Sequence, residues 1–411
     1  MSGQQARRVL FLQGLPSPFF RRLAEALTEA GCSALAVNLC PGDRLFWRGH
    51  PTLRYRGTLA AWPAYIGAVM DREHVTDLVL LGESRTYHRE AIAAARARAI
   101  RVVTTDFGYL RPDWITFERD GMSSASLFPR DPDAIRALAA RSPEVDLTPR
   151  YREAFWTLAR WDLMYQAANL LLAWRYPHYR RPFKAHPPWR HYPSIALRLL
   201  RAPWRERHAR AVMQELIGTR ARYFVFPLQL EFDAQITAYS PFERLDDAIE
   251  QVVASFARHA GATDLLLIKV HPLDPGVRHW DRIAHRVARS LGVGPRLRYV
   301  DGGSLDHMIE GAAGMVTVNS TSGLRALQLG CPVKVLGDAI YDVPGLTAQT
   351  ALDEFWTDPT SPDPALREAF VRALAGTVQI RGSFYTEPGL SAAVGEAAYR
   401  LCHDLSNQPL S

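Results

Sequence analysis

The chain has 411 residues, 47% apolar and 22% charged, a globular composition that excludes a disordered protein and suits two domains of ordinary size. Its formal net charge of +7 is mostly an excess of Arg, which favours an anionic partner such as nucleic acid, phosphate or an acidic membrane surface. Cys32, Cys40, Cys331 and Cys402 are scattered, with no CxxC pair, so neither a disulfide framework nor a thiolate metal site is expected, and a reduced cytosolic protein fits.

The opening MSGQQARRVLFLQGLPSPFF does not read as a signal peptide, because its apolar run is short and broken by Gly and Pro. RVLFLQGL reads as a strand, followed by a helix over FFRRLAEALTEA with Ser17 and Pro18 at its start and Gly31 as its stop. ALAVNLC, DLVLLG and IRVVTTD are further strands, and TLAAWPAYIGAVMDRE and YHREAIAAARARA are helices between them. Apolar runs alternating with amphipathic helices predict a parallel sheet covered on both faces. From about 145 to 215 the chain is rich in Trp, Tyr, Arg and Pro and reads as kinked helices. The strand–helix rhythm then returns: YFVFPLQ, LLLIKVH, RLRYVD, GMVTVNS and PVKVLG are strands, and the chain from about 365 is helical. The expected division is residues 1–145, a helical inter-domain segment 146–220, a second α/β domain 221–365 and C-terminal helices 366–411. No stretch reaches the ~18 apolar residues of a membrane span. The fold class is α/β, with two Rossmann-like domains expected to face a cleft at the carboxyl ends of their strands, as in GT-B glycosyltransferases.

Most strands end in polar residues. Gly82–Arg85, with Glu83, follows the third strand, and Asp106 to Glu118, with Arg111, follows the fourth. In NSTSG, Asn319, Ser320, Thr321, Ser322 and Gly323 open a helix directly after a buried strand. Its N–H groups and dipole suit one phosphate, or the turn is simply a well-capped helix start. Neither GxxxxGK[ST] nor GxGxxG occurs, which speaks against a nucleoside triphosphatase or a dinucleotide enzyme. In KVHPLD, Pro272 ends the strand and fixes the backbone beside His271, which can donate to a phosphate or a leaving oxygen; Lys269 lies close in sequence. Asp233, between Gln229 and Gln235, is a carboxylate just past a buried strand, able to attack an electrophilic carbon, take a proton or cap a turn.

The order D-x-G-[YF]-x-R, Q-x-x-x-D, K-V-H-P and a Ser/Thr turn before G-[LF]-x-A-L-x-x-G-x-P-V is similar to the capsular polysaccharide β-Kdo glycosyltransferases of KpsS/KpsC type. DFGYLRPDWITFERDGMSSAS resembles the KpsS branch, and the likeness runs from Leu10 to about Tyr385. It implies a cytoplasmic enzyme, peripheral on the inner membrane, that moves Kdo from CMP-β-Kdo to a (lyso)phosphatidylglycerol acceptor with retention, working beside other capsule synthesis and export proteins. By the same resemblance Asp233 is the nucleophile, Gln229 orients it or the sugar, His271 with Pro272 meets the CMP phosphate, and Ser320 to Gly323 hold that phosphate. Asp106 matches the first acid of a D/E-D/E-G motif that deprotonates the acceptor; Phe107 stands where the second acid belongs, which leaves Glu83 and Glu118 as reserve acids in strand-end loops. No cofactor or metal is expected, since His and a helix N-terminus suffice to neutralise a CMP leaving group. The Trp/Arg segment suits an anionic lipid surface. Rival readings are another CMP-sugar transferase of sialyltransferase type and a non-catalytic glycolipid-binding export protein; a nucleic-acid binder is disfavoured because no such motif occurs.

Overall fold

Short, largely apolar runs become the strands of two sheets. The computed structural model describes residues 7–151, 155–181, 188–230 and 239–409. In the first unit β1 (Arg8–Phe11), β2 (Ser33–Asn38), β3 (Thr52–Arg54), β4 (Asp77–Leu81), β5 (Arg101–Phe107) and β6 (Trp114–Arg119) form most of a sheet. The second unit carries β7 (Tyr223–Pro227), β8 (Leu265–Lys269), β9 (Leu297–Val300), β10 (Gly314–Thr317) and β11 (Val333–Val335) in the order β11-β10-β7-β8-β9, all parallel. A last strand, β12 (Gln379–Arg381), returns to the first sheet, whose order is β12-β6-β5-β4-β1-β2-β3. There β6 runs antiparallel to β5, and β12 antiparallel to β6; the other pairs are parallel.

The alternation of side chains along each strand sorts two apolar layers around the first sheet. Val9, Phe11, Val79, Val103 and Ile115 face the helices Phe19–Glu29 and Gly389–His403. Leu10, Leu35, Leu78, Leu80 and Val102 face Trp62–Arg72 and Thr86–Arg96. The first of these helices stops as its sequence predicts: its last carbonyls are met by Ala30 and Gly31, and Gly31 takes φ +84, open to glycine at little cost. In the second unit Phe224, Phe226, Leu266 and Ile268 face the helices Leu245–His259 and Trp280–Ser290, while Tyr223, Val225 and Leu267 face Ala202–Gly218.

The chain divides differently from the expected boundaries. The first unit is Met1–Phe128, Arg136–Pro182 and Phe370–Ser411, and the second Pro129–Ile135 and Phe183–Ala369. Among the described residues no separate body corresponds to 146–220, because its last helix, Ala202–Gly218, supplies Ala209, Val212, Met213 and Leu216 as one apolar layer of the second unit. Nor do the C-terminal helices stand apart, because Ile380, Leu390, Ala393 and Leu401 complete the first core. Glu118 is a correction of another kind: it lies inside β6, opposite Thr104 of β5, and not in a loop.

Candidate active site

β7 and β10 are neighbours, so the residues that leave their carboxyl ends meet. Gln229 is buried, and its amide nitrogen donates to Asn319 Oδ1 at 3.0 Å while Asn319 N–H donates back to Gln229 Oε1 at 3.3 Å. Asn319 Nδ2 also donates to the Tyr239 carbonyl at 3.0 Å. Two motifs ninety residues apart in sequence are therefore one hydrogen-bonded unit. Asp233 and Gln235 lie outside the described residues.

Past Asn319, Ser320 caps the helix Thr321–Gln328: its hydroxyl accepts from Ser322 N–H at 3.2 Å, and its own N–H donates to Thr317 Oγ1 at 3.3 Å. The Tyr341 hydroxyl donates to the Ser320 carbonyl. Gly323 is required by that contact, since a Cβ there would stand 2.3 Å from the Tyr341 hydroxyl oxygen. The Ser322 hydroxyl oxygen is buried with no partner among the described residues. A turn held this firmly, with donors at a helix start, can receive one anionic group.

β8 ends at Lys269, which is buried; burial pushes its ammonium pKa down, while the Asp301 and Glu206 charges pull the other way. His271 Nδ1 accepts from Leu273 N–H at 3.1 Å, which puts the proton of the neutral ring on Nε2. The His271 carbonyl accepts from Asp274 N–H at 3.0 Å. Asp274 in turn holds Trp280 Nε1 at 3.0 Å and Gly276 N–H at 2.7 Å. Sequence reasoning missed the residue that grips this loop from outside, Arg198, whose guanidinium reaches the carbonyls of His271, Pro272 and Asp274. A cavity of about 440 Å³ beside it is lined by Arg198, Arg201, Arg205, His279 and Asp301 among others.

The carboxyl edge of the first sheet uses its acids locally. Asp106 is half-buried in β5 and accepts from Phe107 N–H at 2.7 Å. Arg111 lies over the Phe107 ring at 5.0 Å from its centroid. Glu83 accepts from Met122 N–H at 3.0 Å, and the Ser126 hydroxyl donates to Glu118. Glu118 is fully buried; desolvation raises its pKa to about 8, with the Glu83 charge adding and the Ser126 and Tyr109 hydroxyls opposing. It is mostly protonated at neutral pH and pins the 121–126 turn. The loop Gly82–Arg85 is held from behind by His88, whose Nδ1 lies 2.9 Å from the Gly82 carbonyl oxygen. At the ends of β1 and β2, Gln13 Nε2 lies 3.0 Å from Asp43 Oδ1, 2.8 Å from the Tyr165 hydroxyl and 3.1 Å from that of Tyr179. The signal for this cluster was a polar residue closing the apolar run RVLFL.

The aromatic, arginine-rich segment is thus split in use. Tyr165, Tyr179 and the half-buried Trp161 pack into the first unit. Trp156, Trp174, Trp189 and Trp204 are at least 64% exposed, and Arg175 and Arg190 lie over the rings of Trp174 and Trp189. Among the described residues no helix is long and apolar enough to cross a membrane.

Residues 76–385 match the family described as capsule polysaccharide biosynthesis protein. The chain is 32% identical over 395 residues to the capsule polysaccharide export protein KpsS of Escherichia coli, covering 92% of this chain and 97% of that protein. It is 31% identical over 396 residues to the capsule polysaccharide modification protein LipB of Neisseria meningitidis serogroup A, covering 93% of each. Among solved structures, the β-Kdo 2,7 transferase of Thermosulfurimonas dismutans KpsC aligns over 97% of this chain and 99% of its own, at 15% identity and a TM-score of 0.47.

Proposed function

This chain belongs to the capsule polysaccharide biosynthesis family, and on that premise we propose that it is a retaining glycosyltransferase that moves Kdo from CMP-β-Kdo to a (lyso)phosphatidylglycerol acceptor. The observation that carries the reading is the bond between Gln229 and Asn319, which brings the start of the Q-x-x-x-D motif against the Ser/Thr turn. A sugar phosphate bound at that turn would have its anomeric carbon near the chain that leads to Asp233.

In the proposed reaction the Asp233 carboxylate attacks the anomeric carbon and the bond to the phosphate oxygen breaks. CMP leaves with the electron pair, its charge met by His271 Nε2–H and the N–H groups after Ser320. The acceptor hydroxyl then attacks the same carbon, Asp233 is released, and two inversions give retention. Asp106 takes the hydroxyl proton, a role that rests on the family resemblance. Lys269 adds positive charge behind the His271 loop, and no metal is needed for the departure of CMP. The exposed tryptophans and their arginines would hold the enzyme on the cytoplasmic face of an anionic membrane, where the acceptor lies.

The name of the E. coli relative favours a second reading, in which the chain binds a capsule glycolipid for export without changing it. Intact-protein mass spectrometry with fresh CMP-Kdo separates the two. A gain of one Kdo in the wild type, absent in Asp233→Ala, together with CMP release when lipid is present, is expected of the transferase. No adduct and no CMP release would leave the binding protein; release with another CMP-sugar alone would change the donor.

A further inference from the structure

Arg198 belongs to the helix Pro188–Leu200, in the segment whose composition suggests a lipid surface, yet its side chain is only 10% exposed. A guanidinium has five N–H donors in a rigid plane. Here each has an acceptor. Nε donates to Asp301 Oδ2 at 3.3 Å, and Nη1 to the Pro272 carbonyl at 3.0 Å and the Asp274 carbonyl. Nη2 donates to the His271 carbonyl at 3.0 Å and to Asp301 Oδ1. Asp301, directly after β9, is held from its other side by Arg205, which also donates to the Arg198 carbonyl at 3.0 Å.

We infer that Arg198 is a positioning residue for His271. With its donors spent on the loop and on Asp301, it has none left for a phosphate, so it does not bind the donor itself. It acts by fixing three carbonyls of the loop that carries the imidazole. Pro272 has no N–H to add to the loop, and Leu273 N–H is already spent on His271 Nδ1, so the ring's tautomer and its direction follow the backbone that Arg198 holds. The loop is thereby referenced to β9 rather than to its own strand alone. A lysine would keep the charge but could not span a carboxylate and three carbonyls.

The inference rests on the proposed role of His271, and its test keeps the two apart. In ¹⁵N-histidine spectra, with the His271 signal identified by its loss in His271→Ala, Arg198→Lys is expected to shift the Nδ1 resonance away from its unprotonated position. An unchanged signal overturns the inference. In CMP release from CMP-Kdo with lipid, Arg198→Lys is expected to lower kcat ~10–100-fold, as small misplacements do, with KM nearly unchanged. In a His271→Ala background the same change should cost less than about threefold, because its effect runs through the missing ring. An equal loss in both backgrounds means a merely structural role and overturns it. Should Arg198→Lys not fold, Asp301→Asn, which loosens the same grip, is read in the same assays. If the wild type releases no CMP, the transferase reading fails while the histidine spectra still decide the positioning.

Discussion

The carboxyl edges of the two sheets use the same kinds of polar residue to opposite ends. In the first unit the acids hold local structure: Asp106 takes Phe107 N–H, Glu83 takes Met122 N–H, and Glu118, buried and mostly neutral, takes the Ser126 hydroxyl. In the second unit backbone and side chains hold neutral amides and hydroxyls in set orientations at a helix start, and an imidazole in a set orientation just past the end of β8. The first edge spends charge to shape a turn; the second arranges donors that favour an incoming negative charge. Electrostatic preorganisation of the second kind is what a departing phosphate requires.

Four measurements would sharpen or break that contrast. The largest effect is expected at the one first-edge acid given a chemical role: Asp106→Asn should lower transfer to lipid ~10²–10⁴-fold, the range of a general base, while the Kdo adduct on Asp233 still forms. Retained transfer would make Asp106 as structural as its neighbours. Next, Gly323→Ala would drive a methyl group against the Tyr341 ring and should cost about 1–3 kcal/mol in a urea titration, with CMP affinity falling alongside. Loss of stability without loss of CMP affinity would detach the turn from the nucleotide.

Third, Glu118 predicts a pH signature. Its folded pKa, about 8, lies above the ordinary value of 4.5, so the folded state holds the proton longer than the unfolded one. Its contribution is fully present below about pH 4.5 and is lost as pH rises toward 8. The urea midpoint of wild type should therefore fall between pH 5 and 8 more steeply than that of Glu118→Gln, which keeps a neutral side chain of the same shape. Parallel slopes would show that Glu118 is ionised in the fold. The smallest effect on stability, within ~0.5 kcal/mol, is expected for Trp174→Ala with Trp189→Ala, since both rings are exposed. The same pair should reduce flotation with phosphatidylglycerol vesicles, and unchanged flotation would remove the membrane role of these rings.

The sequence made the strand–helix rhythm plain wherever a strand was buried on both faces, as in DLVLL, whose five residues are all buried. It hid β3 and β12, three-residue strands that carry a single aliphatic residue each (TLR, QIR), whereas the equally short β11 sits in the apolar run PVKVLG. It also hid β6, which WITFER forms by folding back antiparallel; its glutamate read as a loop acid because burial and a hydroxyl partner are tertiary facts. In the second unit the polar strand ends were legible because each follows an apolar run. Arg198 was not, because its partners lie 73–103 residues away and its surroundings in sequence look like a lipid-facing surface. The split of the aromatic segment was equally out of reach, since Tyr165 and Trp174 differ in environment and not in local pattern.

The position of β12 has a consequence for how this chain is made. The first sheet has its outermost strand at Gln379–Arg381, after the whole of Phe183–Ala369 has been translated. During synthesis the second unit can close while the first is still missing an edge and the helix Gly389–His403 that covers one of its faces. The nascent first sheet leaves the ribosome with β6 unpaired on one side, an open strand edge of the kind that recruits other chains. A stop codon or a cleavage near residue 370 would therefore harm the beginning of the protein more than its middle, and the yield of folded protein should depend on how quickly the ribosome finishes those final turns.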